Sequence, residues 1–137
     1  MTANLNPYIH FKDNAREAMA FYQTVFGGEL VLSTFSEGGM SSGPADASLI
    51  MHGQLETPTG FMLMGSDTPA HMEHRPGTNI TISLSGDEDA ALNGYWSKLS
   101  AGANVMQPLE KAPWGDSFGM LTDKFGIGWL VNIAAKK

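Results

Sequence analysis

The sequence predicts an α+β domain made of two copies of one unit, each a strand, a helix and three further strands. Three observations predict it. The order of periodic segments in the first half is repeated in the second. The two helical segments carry matching landmarks at one common spacing: Asp13 with Asp87, Phe21-Tyr22 with Tyr95-Trp96, and Gly28 with Gly102. The opening runs NPYIHF and NITISL correspond, as do the closing runs Gly60-Phe61-Met62-Leu63-Met64 and Gly128-Trp129-Leu130-Val131-Asn132. The expected division is module one over residues 1–66, a linker over 67–77 and module two over 78–137, within a single domain.

The first module opens on Asn6–Phe11, an alternating run that reads as a strand. A helix follows. Asn14 is its expected N-cap, with Glu17 placed for a capping box. Ala15, Ala18, Met19, Tyr22, Val25 and Phe26 form one apolar face at helical spacing, and Gly27-Gly28 ends it. Glu29–Glu37 is strand-like, and Gly38–Asp46 is a loop rich in Gly, Ser and Pro. Ala47–Leu55 and Phe61–Gly65 read as strands joined by a turn at Thr57–Gly60. Asp67–Gly77 has two prolines and no periodicity, as a linker should.

In the second module Asn79–Leu84 is the opening strand, and Ser85 with Glu88 forms a second capping-box pattern. Ala91, Leu92, Tyr95, Trp96 and Leu99 share one face of the helix that follows, which ends at Gly102. Asn104–Leu109 is a strand with Pro108 near its end, as edge strands allow. The chain closes on a hairpin, Phe118–Thr122 and Trp129–Ile133. Asp123 and Gly126 supply its turn chemistry, and Asp116 is a second turn-capping carboxylate.

Composition narrows the function classes. The 137 residues include 42% hydrophobic and 16% charged side chains, enough apolar material for a packed core. The net charge of −6 argues against nucleic acid and anionic membrane as partners. The absence of cysteine excludes disulfides, thiolate metal sites and cysteine nucleophiles. The first residues lack a basic segment followed by an apolar one, so no signal peptide is expected. No apolar run approaches the roughly 20 residues of a membrane span. The expectation is a cytoplasmic protein.

Several motifs carry a resemblance over essentially the whole chain. They are Asn6-Pro7-Tyr8-Ile9-His10-Phe11, Ala20-Phe21-Tyr22, Ser83-Leu84-Ser85-Gly86, Trp114-Gly115-Asp116, Phe118-Gly119-Met120 and Thr122-Asp123-Lys124-Phe125-Gly126, with Trp129 and Asn132. With these the chain resembles the vicinal oxygen chelate superfamily, which includes glyoxalase I, bleomycin-resistance proteins and extradiol dioxygenases, and within it the PhnB-like branch. The resemblance implies the glyoxalase/bleomycin resistance/dihydroxybiphenyl dioxygenase fold, in which two βαβββ modules form a curved mixed sheet around a cavity. Members of this branch often carry a 3-demethylubiquinone methyltransferase label. The chain has no glycine-rich strand-to-helix loop to hold a nucleotide-like methyl donor.

Metal-dependent members of the superfamily place His or Glu ligands on the first and last strands of each module. Those positions fall here on Asn6, Met62, Asn79 and Leu130. Two are apolar and two are neutral amides, which are weak donors to a divalent ion. The expectation is that the family's metal centre is absent and that no cofactor is required. Strand parity turns Asn6, Tyr8, His10, Asn79, Thr81 and Ser83 toward the cavity, and Ile9, Phe11, Ile80, Ile82 and Leu84 toward the helices. The expected ligand pocket comprises Asn6, Tyr8, His10, Met62, Met64, Asn79, Thr81, Ser83, Trp114, Phe118, Leu130 and Asn132. It is largely apolar with a few neutral hydrogen-bonding groups, as small-molecule sites are. Trp114 is either a gate over the cavity or a loop anchor, and Trp129 has a packing role.

The histidines divide between strands and linker. His52 on a middle strand reads as a half-buried structural residue, while His71 and His74 sit in the linker and read as solvated. The residues leave open whether this is a homodimeric small-molecule-binding protein without a metal, a metal-dependent lyase, isomerase or dioxygenase with ligands such as His10 and His52, or a domain with no ligand.

Overall fold

The computed structural model describes residues 3–41 and 43–135. The elements run β1 (Tyr8–Phe11), α1 (Ala15–Phe26), β2 (Glu29–Thr34), β3 (Ile50–Glu56), β4 (Met62–Asp67), β5 (Ile82–Gly86), α2 (Asp89–Leu99), β6 (Asn104–Lys111), β7 (Ser117–Thr122) and β8 (Gly128–Ile133). The expected strand, helix and three strands therefore occur twice. They form two compact units, Met1–Pro76 and Gly77–Lys137.

The first unit is a four-stranded mixed sheet in the order β1-β4-β3-β2. β1 runs parallel to β4, and the other pairs are antiparallel. α1 lies on one face. Its apolar stripe is buried as its spacing demands: Ala15, Ala18, Met19 and Tyr22 are fully enclosed and Val25 nearly so. From the sheet, Phe11, Leu55 and Leu63 join this core. Gly53 and Gly65 are cross-strand partners beneath Met19. A Cβ on Gly65 would lie 2.8 Å from the Phe11 ring and 3.2 Å from the Met19 sulfur, so the helix sits close only because both positions lack a side chain.

The expected capping box at Asn14 does not form. Asn14 holds the N-cap position, but its side chain makes no capping hydrogen bond. The Ala15 N–H instead donates to Asp67 Oδ1 at 2.9 Å, and the Ile50 N–H donates to Asp67 Oδ2 at 2.9 Å. Asp67 was expected in the linker; it is the buried last residue of β4. Thr68 is also buried and extends this edge, donating its N–H to the Phe11 carbonyl. The loop after β2 has its own device: Glu37 accepts from the Thr34 N–H at 2.9 Å, and Thr34 Oγ1 accepts from the Glu37 N–H at 3.1 Å. That pair ends β2 at Thr34, short of the expected Glu37.

The second unit repeats the pattern, with strand order β5-β8-β7-β6 and β5 parallel to β8. Leu84, Leu92, Leu99, Leu121, Trp129, Val131 and Ile133 form its core. On α2, Leu92 and Leu99 are buried, while Ala91, Tyr95 and Trp96 are half-buried. Gly119 admits the Trp96 ring, which a Cβ there would meet at 2.8 Å.

Two expectations fail in this unit. Ser85 belongs to β5, the N-cap is Glu88, and no side chain caps α2. β5 begins at Ile82, so Asn79, Ile80 and Thr81 precede the strand. Ile80 is 82% exposed instead of packing on the helix. Pairing with β8 starts at Ile82, opposite Trp129.

Candidate functional site

Each sheet has a face turned away from its own helix; of the expected pocket residues, Tyr8, His10, Met62, Met64, Ser83, Phe118, Leu130 and Asn132 share these faces, while Asn6, Asn79, Thr81 and Trp114 lie outside the strands. In the first unit Tyr8, Met64 and Gln54 are aligned across β1, β4 and β3. Alternation then puts His10, Met62, His52 and Glu56 on the same face. The Tyr8 ring lies 5.3 Å from that of His10 and 5.7 Å from that of His52. Met62 and Met64 are half-buried between them, while His10 is exposed. Asn6 is half-buried just before β1.

Polar groups on this face form one continuous chain. The Tyr8 hydroxyl is 3.3 Å from His52 Nδ1. His52 Nε2 is 3.3 Å from Gln54 Oε1, and the Gln54 amide donates to Glu56 Oε1 at 2.8 Å. His52 is half-buried, as its place in a middle strand implied. Its contacts with Tyr8 and Gln54 were not anticipated. The signal was available: polar residues at alternate positions of β3 occupy the face opposite Leu55 and Gly53.

In the second unit Ser83 pairs with Leu130, and Leu130 with Met120. Asn132 pairs with Phe118 and donates its side-chain amide to Asp116 Oδ2 at 3.1 Å. Asp116 also accepts from the Ala135 N–H at 2.9 Å. These two donors, the backbone N–H first, hold the Asp116 carboxyl below its ordinary pKa. The Thr34 N–H and hydroxyl do the same for Glu37.

Asp123 caps the closing turn as expected, and more fully. Its Oδ1 accepts from the Phe125 and Ile127 N–H groups at 2.8 and 3.1 Å, and its Oδ2 from the Trp129 indole at 2.8 Å. Trp129 is 1% exposed, so its role is in the core. Trp114 is 65% exposed and meets Phe118 edge-on at 6.0 Å. Beside the pair is an open hollow of about 240 Å³, bordered by Gln107, Glu110, Lys111 and Pro113. Asn79 and Thr81 are exposed and stand apart from this cluster on the stretch before β5. In the linker His71 is exposed, while His74 is half-buried with its Nδ1 3.1 Å from the Thr68 hydroxyl.

None of the four positions that the resemblance gives to metal ligands, Asn6, Met62, Asn79 and Leu130, carries a charged or imidazole side chain. Met62 and Leu130 offer no nitrogen or oxygen side-chain donor, and the neighbour of Leu130 across the ladder is Ser83 rather than Asn79. Both ring nitrogens of His52 are engaged by Tyr8 and Gln54. Among the described residues no three His, Asp or Glu side chains converge. No helix among them is long and apolar enough to cross a membrane.

This architecture is that of a known class. The family model for the Glyoxalase/Bleomycin resistance protein/Dioxygenase superfamily matches residues 4–131, and the chain belongs to that superfamily. Protein PA1353 from Pseudomonas aeruginosa, a solved structure, is 34% identical, with a TM-score of 0.82 over 98% of this chain and 100% of that one. A PhnB protein from Bacillus cereus shares the fold at 24% identity and a TM-score of 0.77, over 96% of this chain and all of its own. Protein YjdN of Escherichia coli (strain K12) is 24% identical over 145 residues, covering 97% of each chain.

Proposed function

We propose that the chain is a small-molecule-binding protein of the glyoxalase/bleomycin-resistance type, acting in the cytoplasm as a homodimer without the family's catalytic metal. What supports the reading is the chemistry of Met62 and Leu130, which the resemblance puts at the positions of the family's metal ligands and which carry no charged or imidazole group. An ion there would lose its water shell for nothing that binds it. What remains on the two sheet faces is a mixture of thioether, aromatic and neutral polar groups, which suits a partly apolar organic molecule. The proposed binding residues are taken unit by unit: Asn6, Tyr8, His10, Met62 and Met64 at the first sheet, and Ser83, Phe118, Leu130 and Asn132 at the second, with Trp114 beside Phe118.

The test is elemental analysis of untagged protein, with melting curves in Ni, Zn, Mn and Fe(II). Expected are no stoichiometric metal and no shift. Near-stoichiometric metal, or a shift abolished by chelator and by His10→Ala, would instead favour a metal-dependent lyase, isomerase or dioxygenase. Sedimentation should give twice the 14.7 kDa chain mass. Only the single-chain mass at micromolar concentration would remove the homodimer.

A further inference from the structure

The hydrogen-bond chain on the first sheet has a direction, and the direction selects the ligand. Glu56 is a carboxylate and can only accept, so the Gln54 amide must turn its NH₂ toward it, as the 2.8 Å contact has it. Gln54 Oε1 then faces His52 Nε2 at 3.3 Å and, being a carbonyl oxygen, needs a donor. Neutral His52 therefore carries its proton on Nε2 and leaves Nδ1 as an acceptor. Among the described residues the group offered to Nδ1 is the Tyr8 hydroxyl at 3.3 Å, so Tyr8 spends its single proton on His52. Tyr8 is 39% exposed, and its oxygen keeps lone pairs but has no proton left to offer.

We infer that Tyr8 is the polar anchor of the binding site and that it accepts a hydrogen bond from the ligand. The ligand class is then an alcohol, phenol or amine whose apolar body lies along Met62 and Met64. Carboxylates and doubly ionised phosphonates, which bring only acceptor oxygens, are disfavoured at this point, in line with the protein's net negative charge. His52, Gln54 and Glu56 are positioning residues that act through Tyr8. This inference rests on the small-molecule reading above.

The test has two arms, both on the full chain at a pH where histidine is neutral. Nitrogen-15 shifts should show His52 protonated on Nε2 and bare on Nδ1, with the preference lost in Gln54→Leu. A proton on Nδ1 in the unmodified protein overturns the direction of the chain and the ligand class with it. The second arm titrates benzyl alcohol, benzyl methyl ether and benzoate. The alcohol should bind about fivefold more tightly than the ether. That gap should vanish in Tyr8→Phe, with the His52 signals reporting that the variant is folded. Equal binding of the ether or benzoate overturns the ligand class. Binding of none of the three overturns the small-molecule reading itself, while the nitrogen shifts still decide the direction of the chain.

Discussion

Asp67, the last residue of β4, caps Ala15, the first residue of α1, across 52 positions of sequence. The same carboxylate holds the first N–H of β3. One buried side chain thus satisfies two backbone donors, one of them at a helix start that has no intrahelical partner. Asp67→Ala should orphan both and destabilise the protein by about 3 kcal/mol, as buried unmet donors do. Asp67→Asn keeps one carbonyl oxygen and should cost less. Denaturant unfolding compares the three proteins; equal midpoints for Asp67→Ala and the parent would refute the capping role.

Asp123 makes the corresponding prediction in the second unit. Asp123→Ala removes three acceptor contacts at once and should lower stability by about 3 kcal/mol. Trp129→Phe removes only the indole donor and some packing, so it should cost less. The two effects should be less than additive, because the residues are in contact. A strictly additive double variant would contradict the shared hydrogen bond.

Two glycines should respond with opposite signs. Gly94 lies within α2, and a Cβ there meets nothing within 4 Å. Gly94→Ala should stabilise by about 0.5–1 kcal/mol through helix propensity. Gly119→Ala would drive a methyl into the Trp96 ring and the Leu109 backbone, both at 2.8 Å, and should destabilise by about 1–3 kcal/mol. Thermal melts of the two variants should move apart from the parent in those directions.

Acid should release the Asp116 link. Its carboxyl is held below the ordinary value by the Ala135 N–H and the Asn132 amide. A depressed folded-state pKa stabilises the fold in full above the unfolded value, about 3.9. That contribution declines as pH falls toward the folded-state value and is gone below it. Asp116→Asn should therefore melt lower than the parent at neutral pH, with the gap closing at pH values below about 4. A gap that stays constant down the acid limb would mean the carboxylate charge contributes nothing.

The readable part of the sequence was what apolar periodicity and turn chemistry encode. Ala15, Ala18, Met19, Tyr22 and Val25 are buried where their spacing placed them, and Asp123 caps the turn it was expected to cap. Asp67 was not readable as a cap, because Ala15 is brought to it by the parallel pairing of β1 with β4 and Ile50 by the antiparallel pairing of β3 with β4. The start of β5 was misplaced for a related reason. Asn79–Leu84 alternates throughout, but a strand needs a neighbour, and the Asp123 carboxylate occupies the N–H groups of Phe125 and Ile127 ahead of β8. In the polar chain from Tyr8 to Glu56, the β3 members showed in the alternation of that strand, but the link to Tyr8 did not. Its members come from two strands that are not adjacent in the sheet, and only the Tyr8 side chain reaching over β4 joins them.

All three tryptophans, Trp96, Trp114 and Trp129, lie in the second unit. Intrinsic indole emission therefore reports on that half alone. Trp129, enclosed and bound to a carboxylate, should emit toward the blue, while Trp114 should be quenched by added iodide. The first half carries only tyrosines and is silent when excitation is confined to the red edge of indole absorption. If the halves come apart in sequence rather than together, fluorescence and circular dichroism will disagree on the midpoint, and the disagreement itself will say which half goes first.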